Sequence, residues 1–395
     1  MRILEQVWAV TAMNLRALPL RAGTAAVSVI GIAGVVLIIV SVLSISEGFR
    51  RTLELAGSDR IAVVLRGNTS SELASSFDEE QVRIIEQAPG IARDAGGPIV
   101  SAELYTTVDQ PKRSTGTAAN APLRGMEPAG IRTREHFALI AGRLFVPGRN
   151  EVIVGQAAQR TLTGLDVGST VRWGHNDWRI VGAFSDAGSV AESELWTDVR
   201  VLQSAYRRGG SYQIVRARLI APAAIGRLRA QLAADPRLSV NVLSERAFYA
   251  AQSQVITSVV RVVGSALALI MGVGAVFGAL NTMYSAVAAR STEIATLRAL
   301  GFGALPIVVS VVVEALLLGL LGGLFGAAIA YLAVDGLQTS TLNYSSFSQV
   351  SFAFEVTPAL IAGGVGYALL LGLLGGLFPA AQAARRPIIA GLRQG

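Results

Sequence analysis

Four stretches of this chain are apolar and long enough to cross a bilayer, and the polar segments between them set its plan. Thr24 to Ser46 runs 23 residues without a charged side chain. That is longer than a signal-peptide core, and no A-x-A site follows it, so it reads as a retained anchor. Val262 to Tyr284, Pro306 to about Val334 and Pro358 to Ala381 have the same character. Arg261 can snorkel at the edge of the second, and Pro306 suits the first helical position of the third. The expected spans are therefore 24–46, a stalk and span over 255–285, 304–334 and 358–381. Ahead of them, residues 1–23 place Ile3, Leu4, Val7 and Trp8 at helical spacing, with Arg2, Arg16 and Arg21 against Glu5. This is the pattern of an amphipathic helix lying on a membrane surface.

Residues 47–254 hold no spanning run and carry 25 Arg or Lys against 22 Asp or Glu. A folded α+β domain is expected there. Ile61 to Leu65 reads as a strand, Asp78-Glu79-Glu80 opens a helix that closes at Pro89-Gly90, and Pro98 to Val108 reads as a strand. A second unit of the same kind follows: Gln213 to Leu219, a helix from Pro222 to Ala234, and Ser239 to Leu243. Two β-α-β units suggest a split ferredoxin-like core. Between them, about 121–208, glycine and strand signals predict a β-rich inserted subdomain. Its clearest piece is a hairpin, Thr170 to Trp173 and Trp178 to Phe184 about Gly174-His-Asn-Asp177.

The short segment 286–303 between spans two and three contains Ser291 as an expected N-cap, Glu293 in the first turn, Arg298 in the last and Gly301 just past the end. Ile294, Leu297 and Leu300 would line one side. From the residues alone it is either a helix that needs a partner surface or a connecting loop. The 335–357 segment has two acids and no base, as an external loop should, and 382–395 is a basic tail. Arg2, Arg16, Arg21, Arg290, Arg298, Arg385, Arg386 and Arg393 face only Glu5 and Glu293, which places both termini in the cytoplasm by the positive-inside rule.

Over 395 residues, 52% are hydrophobic, with a mean hydropathy of +0.50, which marks a membrane protein. The +7 charge lies in 33 arginines and the single Lys112, and does not point to nucleic acid. There is no cysteine, so disulfides and thiolate metal sites are excluded. His136 and His175 are in no ligand-dense spacing. A phosphate-binding loop needs a lysine after its glycine; Lys112 follows Pro111, so any ATP-driven role requires another subunit. Asp166 and Asp186 read as solvated loop carboxylates. Glu314 lies deep in the third span, either a functional acid or a hydrogen-bonded packing residue. Gly274/Gly278, Gly319/Gly323, Gly322/Gly326 and Gly372/Gly376 carry the spacing that lets helix backbones approach.

Glu293-Ile-Ala-Thr-Leu-Arg-Ala-Leu-Gly301 resembles the E-I-x-x-x-R-A-x-G segment of MacB/FtsX-type ABC transporter permeases, also called the type VII or mechanotransmission class. Glu314-Ala315 with Gly322-Gly323 resembles their third span, and Phe378-Pro379-Ala380 with Ala383-Ala384-Arg385 and Pro387 their fourth span and tail. Arg124-Gly125-Met126-Glu127-Pro128, Gly142-Arg143, Asp166-Val167-Gly168 and Ile180-Val181-Gly182 resemble the MacB-like periplasmic core domain. The resemblance implies a permease of the bacterial inner membrane that is not itself an enzyme. It would pair with a second copy or paralogue and with two ATPase subunits that bind ATP and Mg. Those subunits would dock on a coupling helix made of Arg290, Glu293, Ile294, Leu297, Arg298 and Gly301. Members of the family export or extract lipids, lipoproteins, peptides or drugs, some with a periplasmic adaptor or substrate-accepting protein; others only transmit force to a cell-wall partner. Membrane lipids are the remaining expected contact, and no cofactor or metal is expected in the chain itself.

Overall fold

The computed structural model describes residues 3–67, 69, 71–343, 346 and 348–385. Arg2, Arg386, Pro387 and Arg393 of the sequence reading lie outside them. In chain order the first elements are α1 (Ile3–Arg16), a 3-10 turn at Leu18–Arg21, α2 (Ala22–Leu55), β1 (Ile61–Arg66), a 3-10 turn at Glu72–Ala74 and α3 (Glu79–Glu86). There follow β2 (Arg93–Asp94), β3 (Gly97–Pro98), β4 (Val100–Pro111), β5 (Ala118–Met126), β6 (Ala138–Gly142), β7 (Glu151–Gly155), α4 (Gln156–Thr161), β8 (Thr170–Trp173), β9 (Asn176–Ser185), β10 (Leu195–Asp198) and α5 (Val199–Ala205). The remainder is β11 (Ile214–Arg218), α6 (Ala224–Ala234), β12 (Val240–Ser244), α7 (Glu245–Ala289), α8 (Ser291–Ala299), α9 (Ala304–Val334), β13 (Gln338–Asn343), β14 (Ser348–Ala353) and α10 (Pro358–Arg385).

Helices α2, α7, α9 and α10 are long and apolar enough to cross a membrane. Two exceed the apolar runs that announce them. α2 continues to Leu55, and α7 is unbroken over 45 residues, about 68 Å, so the stalk and the span are one helix.

The described residues form two units. A helical unit comprises Met1–Glu47, Ser258–Leu337 and Phe354–Gly395. In it Ile32, Val36 and Val40 of α2 pack with Ala327 and Ala330 of α9 and Ala368 of α10. Met283 and Val287 of α7 pack with Ile307 and Val311 of α9 and Ala380 and Ala383 of α10. Apolar surface gains little from leaving lipid for protein, so helix association there depends on close approach. A Cβ added at Gly319 would stand 2.8 Å from the Ala368 carbonyl, and one at Gly372 would stand 2.7 Å from that of Ala315. Gly323 meets Ala368, Gly376 meets Ala315, and Gly322 and Gly326 receive Ile32 and Ala33 of α2. Gly274 and Gly278 differ: among the described residues, no other side chain or helix stands within 4 Å of their missing Cβ.

A sheet unit comprises Gly48–Thr257 and Gln338–Ala353. One end of its ten-stranded sheet runs β12-β1-β11-β4, each pair antiparallel. Helix α3 starts at a capping box, Asp78 accepting from the Gln81 N–H at 2.8 Å while Gln81 reaches back to the Asp78 N–H. Val82 and Ile85 of α3 and Leu228 and Leu232 of α6 pack on Ala62, Val64, Val215 and Ala217. The glycine-rich middle of the chain is not a separate sheet. Strand β4 is 12 residues long and pairs with β11 through its first half and with β5 through its second, so the order continues β5-β10-β7-β9-β6 without a break. The β5–β10 and β7–β9 pairs are parallel, and two short helices, α4 and α5, lie within this strand-rich part. The expected external loop 335–357 contains a hairpin, β13–β14, and this hairpin belongs to the sheet unit. Phe352 of β14 meets Phe49 edge-on at 5.6 Å, and Ser193 Oγ accepts from the Ser351 N–H at 2.9 Å.

Candidate functional site

Helix α8 is nine residues long and closes by a Schellman arrangement: Phe302 N–H bonds to Leu297 O and Gly301 N–H to Arg298 O, both at 3.1 Å. Gly301 makes this turn at φ +91°, where a Cβ is disfavoured. The start differs from the sequence reading. Ser291 is the first helical residue, and Arg290 occupies the N-cap position without a side-chain cap.

Arg290 is the one residue between α7, ending at Ala289, and α8, beginning at Ser291. It does not face outward as a contact residue would. Its side chain is 5% exposed and donates to Glu314 of α9, Nη1 to Oε2 at 2.9 Å and Nη2 to Oε1 at 3.4 Å. Glu314 is equally buried, and its carboxylate is bonded to that guanidinium. One turn earlier on α9, Ser310 Oγ accepts from Asn14 Nδ2 of α1 at 2.9 Å. Arg21 Nη1 donates to Ala286 O of α7 at 3.3 Å.

Ile294 packs inward on the Met283, Val287, Ile307 and Val311 cluster, and Ala295 is buried. Leu297 and Arg298 are half-buried. The exposed side is Thr292, Glu293, Thr296, Ala299 and Leu300, the last at 73%. Glu293 and Leu300 are therefore on the open side of α8, while Ile294 and Leu297 are partly covered. A cleft beside α8 is lined by Asn14, Arg290, Glu293, Ile294, Leu297 and Glu314.

The sheet unit holds a second concentration of charge. Arg124 of β5 grips Glu194 with two bonds, at 2.8 and 2.7 Å, and also donates to Glu72 at 2.7 Å and Glu103 at 3.0 Å. Arg216 of β11 donates to Glu103 at 3.2 Å, to Glu245 and to the Tyr249 hydroxyl. Arg134 adds a further donor to Glu103 at 3.1 Å, and Trp196 Nε1 donates to Glu194 at 2.7 Å. Every charged side chain here is under 10% exposed. Burial pushes the Glu194 carboxyl up, but Arg124 outweighs it and holds the group at about 2. At Glu245, the first residue of α7, burial outweighs the pull of Arg216 and raises the carboxyl to about 7. The chemistry is that of a pinned polar core.

Residues 25–235 match the family described as MacB-like periplasmic core domain, which covers more than half of the chain, and residues 265–388 match the FtsX-like permease C-terminal family. The chain belongs to the MacB/FtsX-type permeases. An uncharacterized ABC transporter permease of Methanocaldococcus jannaschii is 22% identical over 385 residues, 93% of each chain. Two solved domains are similar to part of it. The extracellular domain of the noncanonic ABC-type transporter YknZ from Gram-positive bacteria is 16% identical, with TM-score 0.36, over 47% of this chain and all of that one. The periplasmic region of MacB from Actinobacillus actinomycetemcomitans is 12% identical, with TM-score 0.37, over 48% of this chain and 91% of that one. Membership rests on the two domain matches.

In this permease the sequence-predicted residues fall into three places. Arg290, Ile294 and Glu314 come together, Glu293 and Gly301 lie on or beyond the exposed side of α8, and six of the eight span glycines line helix contacts. Asp166 is exposed and paired with Arg113, whereas Asp186 is buried and accepts from Ser189 Oγ, contrary to its expected solvation. The acid–arginine core of Glu72, Glu103, Arg124, Arg134, Glu194, Arg216 and Glu245 was not foreseen. The only available signal was a charged residue at a mid-strand position, as at Glu103 and Arg216.

Proposed function

We propose that this permease couples ATP hydrolysis on a separate ATPase to movement of its sheet unit, for export or extraction of an envelope substrate such as a lipid, lipoprotein, peptide or drug. The observation that carries this is α8: a short, well-terminated helix between two spans, seated on one side and open on the other, in a chain that has no phosphate-binding lysine of its own. ATP and Mg would then be bound by two partner ATPase subunits, with a second permease copy or paralogue completing the bundle. The excess of arginine over acid in segments 1–23, 286–303 and 382–395 supports a cytoplasmic placement for them and an extracytoplasmic one for the sheet unit. Within that unit, the β12-β1-β11-β4 order with α3 and α6 on one face supports a split ferredoxin-like arrangement, continued by the strands between its halves.

The test is recovery of ATP turnover. A tagged permease purified from its native membranes should bring with it an ABC ATPase, and Leu300→Asp on the open side of α8 should weaken that recovery. Placing a charge in a packed contact removes a few kcal/mol of affinity, about a hundredfold or more. Undiminished recovery with Leu300→Asp would sink the docking role of α8.

A further inference from the structure

We propose that Glu314 is the positioning residue of α8: through Arg290 it sets the angle between α7 and α8, and so the face that α8 offers outside the membrane. This rests on the permease–ATPase reading above for its consequence, but its geometry stands apart from it. Arg290 is the whole of the connection between the two helices, so its φ and ψ of −105° and 13° define their crossing. A nine-residue helix has no means of holding its own direction in water. Here the joint is gripped by a carboxylate 24 positions later in the chain, on the next span.

Three features make the grip specific. The guanidinium sits buried with its Nε unpartnered among the described residues, so Glu314 is the acid that holds it. Losing that acid strands a cation in a low-dielectric site, which is far worse than losing a surface pair. The clamp is also braced. Ser310 lies one turn before Glu314 on α9 and is bonded to Asn14, while Ala286 lies one turn before Arg290 on α7 and is bonded to Arg21. Residues 310 and 314 share a face of α9 and Ala286 lies in the last turn of α7, so α1 and the turn after it hold both helices that flank the joint. Finally, the apolar seating of α8 comes from its inner residues Ile294 and Ala295 with half-buried Leu297, which holds the helix close without fixing its direction.

The chain has no cysteine, so pulsed electron spin resonance can read the joint directly, with nitroxides at Thr296→Cys and Leu324→Cys in the full permease in lipid nanodiscs; both positions are exposed. Wild type should give one narrow distance distribution. Glu314→Gln and Arg290→Gln should broaden it, and the exchange Arg290→Glu/Glu314→Arg should narrow it again. Glu314→Asp keeps the charge one methylene shorter, so it should shift the mean distance while preserving the fold, a displacement that a purely structural role does not give. In the complex with the co-purified ATPase, Glu314→Gln should lower kcat for ATP about tenfold, equivalent to about 1.4 kcal/mol, with KM unchanged, and the exchange should restore it. Single variants with the wild-type distribution, or a folded exchange variant as broad as the singles, overturn the proposal. Absence of any ATPase with the wild-type chain overturns the docking reading instead, since the distances test the joint without it.

Discussion

Arg124 donates to three glutamates at once, and none of the three has solvent to replace it. Arg124→Met should therefore destabilise the sheet unit by about 3–5 kcal/mol, the cost of leaving buried charge without its partner. Denaturant titration of the purified chain followed by tryptophan fluorescence reports on this, because Trp173, Trp178 and Trp196 are buried in that unit. Cutting the exposed Arg200–Glu79 pair should leave the same curve within error. Glu245 adds a pH dependence whose sign is set by burial. Its carboxyl is raised to about 7 in the folded chain, whereas an unfolded glutamate titrates near about 4.3. The folded state binds that proton more tightly, so the contribution is complete below about pH 4.3 and is lost as pH rises toward 7. Glu194, held at about 2, works oppositely: its contribution is present above about pH 4.3 and is lost as pH falls toward 2. Glu245→Gln should remove the loss between pH 5 and 7, on the order of 1–3 kcal/mol, and an unchanged slope there would refute the assignment. Little of this core was legible in the sequence. Arg216 sits between Val215 and Ala217 in a strand that alternates like a half-solvated one, yet it is fully buried. What reverses its surroundings is Glu103 on the neighbouring strand and Glu245 at the head of α7, partners 113 and 29 positions away.

Elements with local punctuation were readable, and elements placed by distant partners were not. The Asp78 cap and the 170–184 hairpin, with its close pairing of Trp173 and Asn176, follow from residues adjacent in sequence. The end of α8 follows from Gly301 in the same way, whereas its start lies one residue earlier than Ser291 predicts, at Arg290, whose side chain bonds to Glu314 rather than to the helix. The hairpin β13–β14 escaped notice because Gln338–Asn343 is polar on both faces and has no apolar alternation. Glycine spacing was visible, but not which pairs are used. Gly319→Leu should separate α9 from α10 and abolish the folded bundle in detergent, because the Ala368 carbonyl leaves no room. Gly274→Leu should leave the monomer's melting temperature unchanged, as its helix face is open in this chain. Thermal melts of the two variants distinguish packing glycines from those that merely share their spacing; equal losses would show the motif to be uniformly structural.

For the whole permease, the arrangement of charge predicts opposite accessibility for its two polar ends. In intact spheroplasts a membrane-impermeant maleimide should label Ser114→Cys in the sheet unit and spare Thr292→Cys on α8, both exposed positions; the reverse pattern would invert the topology. The division into two units was only partly visible, because composition marks 47–254 as one insertion whereas the sheet unit draws on two separate excursions of the chain. That has a consequence for the order of synthesis. Phe49 finds its ring partner in Phe352, and Gln252 its amide partner in Asn343, on residues made after the third span has left the ribosome. The strands up to β12 emerge first, and at about 5–20 residues per second the hairpin follows only several seconds later. Until α9 and the hairpin after it have been made, the earlier strands lack Phe352 against Phe49, so completion of the sheet unit waits on synthesis of the third span.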